Sequence, residues 1–205
     1  VCWDVESGQP FWRWQGASAV VNAVVVDSGQ QIVAACEQGQ LAMLAVQDGS
    51  EQRVWQQDYG IRQMVVCDNE QLVATVDKDN TIVVWSLEQQ RVLETFAGQD
   101  SVDALSFSRD GTLLAVSSGW RSLKVYQLSD GGLFYVPAVH STVSSLCFTP
   151  DSHSLVSGAR DNSVAVWALF RGDLEVAAQQ ALPLYRQHLT TPERQHYYLP
   201  QQAAD

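Results

Sequence analysis

One spacing runs through this chain without a break. Short alternating apolar runs end at Trp3, Leu44, Trp85, Tyr126 and Trp167, each 41 positions after the one before. The runs are Val1-Cys2-Trp3, Leu41-Ala42-Met43-Leu44, Ile82-Val83-Val84-Trp85, Leu123-Lys124-Val125-Tyr126 and Val164-Ala165-Val166-Trp167. The same step joins Val25, Val66, Phe107 and Phe148, and again Val5, Val46, Leu87, Leu128 and Leu169. No insertion or deletion disturbs the register. Self-similarity at a fixed period of this length means that one small unit is stacked on copies of itself, because the unit cannot bury its own apolar surface alone.

The unit at 141–180 shows the internal plan. Residues 143–148 alternate as a first strand, Thr149-Pro150-Asp151-Ser152 is a turn, and 154–158 is a second strand. Arg160-Asp161-Asn162-Ser163 turns again, 164–169 is a third strand, and Arg171-Gly172-Asp173 leads to a fourth at 174–177. Turns rich in Asp, Asn, Gly and Ser between period-two apolar runs mark hairpins. A four-stranded meander of about 40–45 residues is a propeller blade. The expected fold is all-β, with a partial blade at 1–17 and four complete blades at 18–58, 59–99, 100–140 and 141–180.

These residues resemble the WD-repeat family over roughly the first 180 positions. Phe107-Ser108-Arg109-Asp110-Gly111 and Phe148-Thr149-Pro150-Asp151 look like its first hairpin. Asp79-Asn80-Thr81-Ile82-Val83-Val84-Trp85 and Asp161-Asn162-Ser163-Val164-Ala165-Val166-Trp167 look like its second turn and third strand, and Trp3-Asp4 is the one literal WD dipeptide. The resemblance implies an internal hydrogen-bond tetrad in the last blade: His140, Ser157, Asp161 and Trp167. In the blade at 59–99, Thr75, Asp79 and Trp85 match, with Asp58 where the histidine belongs. The blade at 100–140 has Gln99, Val116, Trp120 and Tyr126 at the four places, and the blade at 18–58 keeps none.

Ser157, His140 and Asp161 are the residue types of a hydrolase triad, but a nucleophilic serine needs an exposed oxygen and an oxyanion hole. The repeat places all three within one blade, where the resemblance implies a structural network, so no catalytic residue is assigned. There is no G-x-S-x-G, phosphate-binding glycine loop or H-E-x-x-H pattern. His153, His188 and His196 have no ligand spacing, and Cys2, Cys36, Cys67 and Cys147 form no C-x-x-C pair. No metal or cofactor is expected. Cys36, Cys67 and Cys147 lie in apolar runs, where a cysteine behaves as a small buried hydrophobe. Reduced thiols and the lack of an N-x-S/T site favour an intracellular setting, cytoplasmic or nuclear. A net charge of -11 without a Lys/Arg cluster disfavours nucleic acid, and no segment is apolar enough to span a membrane.

The function these readings favour is a non-enzymatic scaffold: rigid blades presenting rim loops to other proteins or peptides within a larger assembly. A regulatory or sensor propeller in a signalling protein is the alternative. A quinone-dependent propeller enzyme ranks lower, since no basic and aromatic cofactor pocket is evident. Trp120 is the leading candidate for partner binding, because it replaces a turn Asp and is followed by Arg121; Trp and Arg are enriched in interface hot spots. The competing reading folds Trp120 over the blade edge. Tyr59 and Arg160 lie in loops of the same rim. Phe11, Trp12 and Trp14 read as an aromatic outer strand that something covers. The tail at 181–205, with Pro183, Pro192 and Pro200, reads as irregular, with a short helix capped by Thr191. Val1 falls inside a third strand, so the blades are expected to belong to a seven- or eight-bladed propeller, the missing blades coming from the same or another chain.

Overall fold

The computed structural model describes residues 1–169 apart from 5, 70, 98 and 136–138. The fourth strand expected at 174–177 and the tail helix lie outside the described residues. The chain divides into two units, Val1–Trp167 and Ala168–Asp205; the first carries the architecture below.

The first unit is a series of antiparallel meanders. Strands β1 (Cys2–Trp3) and β2 (Pro10–Trp12) form a two-stranded piece. β3 (Val20–Val26), β4 (Gln31–Cys36), β5 (Gln40–Ala45) and β6 (Glu51–Gln56) form the first four-stranded sheet. β7 (Ile61–Val66), β8 (Leu72–Asp77), β9 (Ile82–Ser86) and β10 (Arg91–Phe96) form the next. β11 (Val102–Phe107), β12 (Leu113–Ser118), β13 (Leu123–Gln127) and β14 (Leu133–Tyr135) follow. β15 (Val143–Phe148), β16 (Ser154–Ala159) and β17 (Val164–Ala168) complete the described strands. In each sheet the order in space follows the order in sequence, as hairpins with short Asp- and Gly-rich turns dictate. No helix among the described residues is long and apolar enough to cross a membrane.

The 41-residue step is written into the backbone as well as the side chains. First strands begin at Val20, Ile61, Val102 and Val143, and second strands at Gln31, Leu72, Leu113 and Ser154. A bulge follows the first residue of every first strand, at Val20/Asn22, Ile61/Gln63, Val102/Ala104 and Val143/Ser145. The turn between second and third strands takes a left-handed residue at Gly39, Asn80, Arg121 and Asn162. Gly and Asn adopt that conformation cheaply; Arg121 does not.

The core lies between sheets. One face of the sheet at 18–58, with Val33, Ala35, Leu41 and Met43, packs on Ile61, Met64, Val73, Val83 and Trp85 of the next. That sheet's other face, with Ala74, Val76, Ile82 and Val84, packs on Leu105, Phe107, Leu114, Val116 and Tyr126. Alternation along each strand thus gives every sheet two apolar faces that only its neighbours can cover.

Candidate protein-binding rim

The loops entering the first strands and the turns between second and third strands meet at one rim. The repeated bulge turns one extra side chain per blade toward it. Arg62, at the bulge of β7, donates from Nε to the Asp77 carbonyl at 3.2 Å. Its Nη2 donates to Asn80 Oδ1 at 2.7 Å and to the Val102 carbonyl of the next blade at 2.8 Å. Asp103, at the bulge of β11, faces Arg160 Nη2 across the following blade boundary at 3.8 Å. These groups tie neighbouring blades together and fix the loops they carry.

Trp120 and Arg121 stand on the turn between β12 and β13. Trp120 is 75% exposed, so its ring points outward rather than folding over the blade. Arg121 has φ +68, and its guanidinium carbon lies 4.8 Å from the Trp120 ring centroid, a cation–π stack. Its Nε donates to the His140 carbonyl at 3.1 Å. The Arg160 backbone N–H donates to the Thr142 carbonyl at 3.0 Å, so three successive loops are linked at this edge. Tyr59 is exposed on the loop entering β7, and the Arg160 side chain is largely in solvent. An anchored indole beside a preorganised guanidinium offers an apolar surface and free N–H donors at little entropic cost.

The tetrad residues separate into groups. Trp167 Nε1 donates to Ser157 Oγ at 2.9 Å. Asp161 Oδ1 accepts both the Ser163 hydroxyl at 2.6 Å and the Ser163 N–H at 3.0 Å. Those bonds, the hydroxyl's first, hold the Asp161 carboxyl below its ordinary range. His140 is exposed, and among the described residues no hydrogen bond joins its ring to Ser157 or Asp161. In the blade at 59–99, Trp85 Nε1 donates to Thr75 Oγ1 at 3.1 Å, and that hydroxyl donates to Gln57 Oε1 at 2.8 Å. Gln57, one place before Asp58, supplies the third member of this relay. The turn is organised by buried Asp77, whose Oδ1 accepts the N–H groups of Asp79 and Thr81 at 2.9 and 2.8 Å. In the following blade Gln99 has the corresponding role, accepting from Tyr126 Oη at 3.3 Å and Lys124 Nζ at 3.1 Å. A long amide reaches in where a histidine would, Gln99 from the histidine's own place and Gln57 from the place before it, which motif register does not reveal.

The aromatic segment at the start packs on the first four-stranded sheet. Trp12 Nε1 donates to the Val46 carbonyl and Trp14 Nε1 to Glu51 Oε1, both at 2.8 Å. β2 ends at Trp12, so Trp14 lies beyond the strand; Phe11 is exposed. Cys36 and Cys67 are buried, and burial raises both thiols' pKa. Cys147 is exposed instead, on a strand that no further described sheet follows beyond its own. Among the described residues, no group of three or more His, Cys, Asp or Glu side chains could hold a metal ion.

Four-stranded meanders, joined in sequence and packed face on face at constant spacing, define a β-propeller architecture. The chain matches the family described as "Anaphase-promoting complex subunit 4 WD40 domain" over residues 64–141, and "WD domain, G-beta repeat" over 133–168. It is 32% identical over 135 residues to "Transducin beta-like protein 3" of Rattus norvegicus, covering 63% of this chain and 17% of that protein. It is 31% identical over 93 residues to "Periodic tryptophan protein 2 homolog" of Schizosaccharomyces pombe, covering 44% and 11%. The chain thus spans less than a fifth of the length of these relatives. Among solved structures, the Cps50 (Swd1) β-propeller domain of Myceliophteria thermophila superposes with a TM-score of 0.66 at 13% identity, covering 74% of this chain and 51% of that one. The chain belongs to the WD-repeat family.

Proposed function

We propose that this chain is a non-enzymatic scaffold whose blades hold rim loops for protein or peptide partners inside a larger assembly, in an intracellular setting. The observation that carries the reading is the Trp120–Arg121 turn. A tryptophan three-quarters exposed costs solubility, and a left-handed arginine costs backbone energy. Both are held in place by the cation–π stack and the bond to His140, an arrangement suited to binding rather than to folding. Tyr59 and Arg160 extend the surface. One matching family is named for a subunit of a complex, which agrees with this role.

The test is Trp120→Ala in the full-length protein in its own cells, with partners quantified after affinity purification and the purified protein melted in parallel. A hot-spot tryptophan predicts at least about a tenfold loss of its specific partner at an unchanged melting temperature. Undiminished partners together with a lower melting temperature would mean that Trp120 serves the fold.

A further inference from the structure

The rim opposite Trp120 carries a cleft between the blades at 18–58 and 59–99. The turns β3–β4, β7–β8 and β9–β10 form it together with the start of β6, all of which antiparallel strands bring to one edge. The two sheet faces that meet there are packed on each other in the core, so the chain itself supplies both walls. The cleft holds about 490 Å3, within the range of about 300–1,000 Å3 usual for ligand sites.

The backbone is strained at both of its lips. After each third strand the turn takes a left-handed glycine: Gly8, Gly49 and Gly131, with φ +67, +71 and +66. The sequence puts glycine at 172 as well. In the blade at 59–99 the same place holds Gln90, with φ +57. A side chain there costs backbone energy that glycine avoids. On the other blade, Asp27, Ser28 and Gly29 are left-handed in succession, with φ +53, +50 and +92. The equivalent turns at 109–111 and 150–152 place only Gly111 and Ser152 there. Strain of this kind collects at ligand clamps, where a side chain is needed in a position that folding alone would give to glycine.

The lining sets the chemistry. Val26, Met43 and Leu87 are buried and form an apolar floor. Gln31, Gln52, Asn69, Gln71 and Gln90 bring five carboxamides to the walls. Each carboxamide pairs a donor with an acceptor, as a peptide group does. Among the described residues, no hydrogen bond occupies the side chains of Gln31, Gln71 and Gln90. The charged lining residues are Asp27, Glu88 and Arg53, so the cleft does not favour an anion, and no aromatic ring lines it on which a nucleic-acid base could stack. We infer that this cleft binds an extended peptide segment of a partner protein, with one apolar side chain on the floor and the main chain held by the carboxamides, Gln90 foremost. This site is separate from the Trp120–Arg121 turn.

The experiment selects a displayed library of short random peptides on the full-length protein and measures the most enriched peptide, made synthetically, against wild type and two variants. The enriched sequences are expected to share one apolar residue. Gln90→Gly removes the carboxamide and the strain together, so it should bind about fivefold more weakly or worse and yet melt about 2 °C higher. Loss of binding in a more stable protein cannot come from misfolding. Gln90→Ala keeps the strain and loses the carboxamide, so binding should fall equally with no rise in melting temperature. No shared sequence, a shared sequence without the apolar residue, or a peptide that holds Gln90→Gly as tightly as wild type overturns the inference. A Gln90→Gly protein that melts no higher than wild type overturns it too, because Gln90 would then carry no strain for a ligand to explain.

Discussion

Thr75 tests whether the blade interior depends on its polar relay. Its buried hydroxyl accepts the Trp85 indole N–H and donates to Gln57 Oε1, at 3.1 and 2.8 Å. Thr75→Val keeps the shape and removes only the hydroxyl. Trp85 Nε1 and Gln57 Oε1 then each lose a partner, the latter on a glutamine whose Nε2 already lacks one among the described residues. A buried group left unpaired costs about 1–3 kcal/mol. The added methyl returns roughly 0.8 kcal/mol through apolar burial. The net loss is about 2 kcal/mol, or about 4–8 °C in melting temperature for a domain of this size. Ser157→Ala is the matched comparison. Ser157 also accepts an indole N–H, at 2.9 Å, but Trp167 is only half-buried, so water can replace the bond. Its expected cost is under about 1 kcal/mol. Thermal and urea unfolding followed by circular dichroism measures both. A Thr75→Val variant as stable as wild type, or a Ser157→Ala variant that loses more, refutes the reasoning.

Two further outcomes follow from local geometry. At Gly49, with φ +71, an added Cβ would lie 2.5 Å from the Trp12 ring, so Gly49→Ala should cost about 1–3 kcal/mol and dislodge Trp12, seen as a red shift in tryptophan emission; unchanged emission and stability would contradict this. Asp151 and Asp161 are held below the ordinary carboxylate range first by the Thr149 and Ser163 hydroxyls, so their stabilising effect is present above about pH 4 and lost as pH falls through their folded values. Carbon-detected NMR titration should show both midpoints rising toward the unfolded value in Thr149→Val and Ser163→Ala respectively, and an unmoved midpoint would assign the depression to another cause.

The strand plan was legible because alternation of apolar residues is a direct record of which face is buried. The step from Trp85 to Tyr126 to Trp167 marks the third strands, and β9, β13 and β17 contain them. The interior bonding was less legible. A hydrogen-bond partner is set by reach as much as by position, so Gln57 could replace a histidine from one residue away, and Asp77 could organise a turn assigned to Asp79. Cys147 was misplaced for a different reason. An apolar run shows that a face wants cover, but only the neighbouring sheet determines whether it has any.

These differences bear on how a degenerate repeat keeps its shape. Across the four blades the polar relay changes at every step: apolar at Ala34 and Leu44, then Thr75 with Trp85, then Gln99 with Tyr126, then Ser157 with Trp167. The bulge and the left-handed turn position do not change at all. Backbone geometry decides where each sheet's two faces point, and any buried set that satisfies its polar atoms can fill the space between. Selection on a blade can therefore relax inside while the rim stays fixed. In the blade at 100–140, Val116 occupies the hydroxyl's place and Tyr126 Oη donates directly to Gln99 Oε1, so the bond from the third-strand aromatic is made without the intervening hydroxyl.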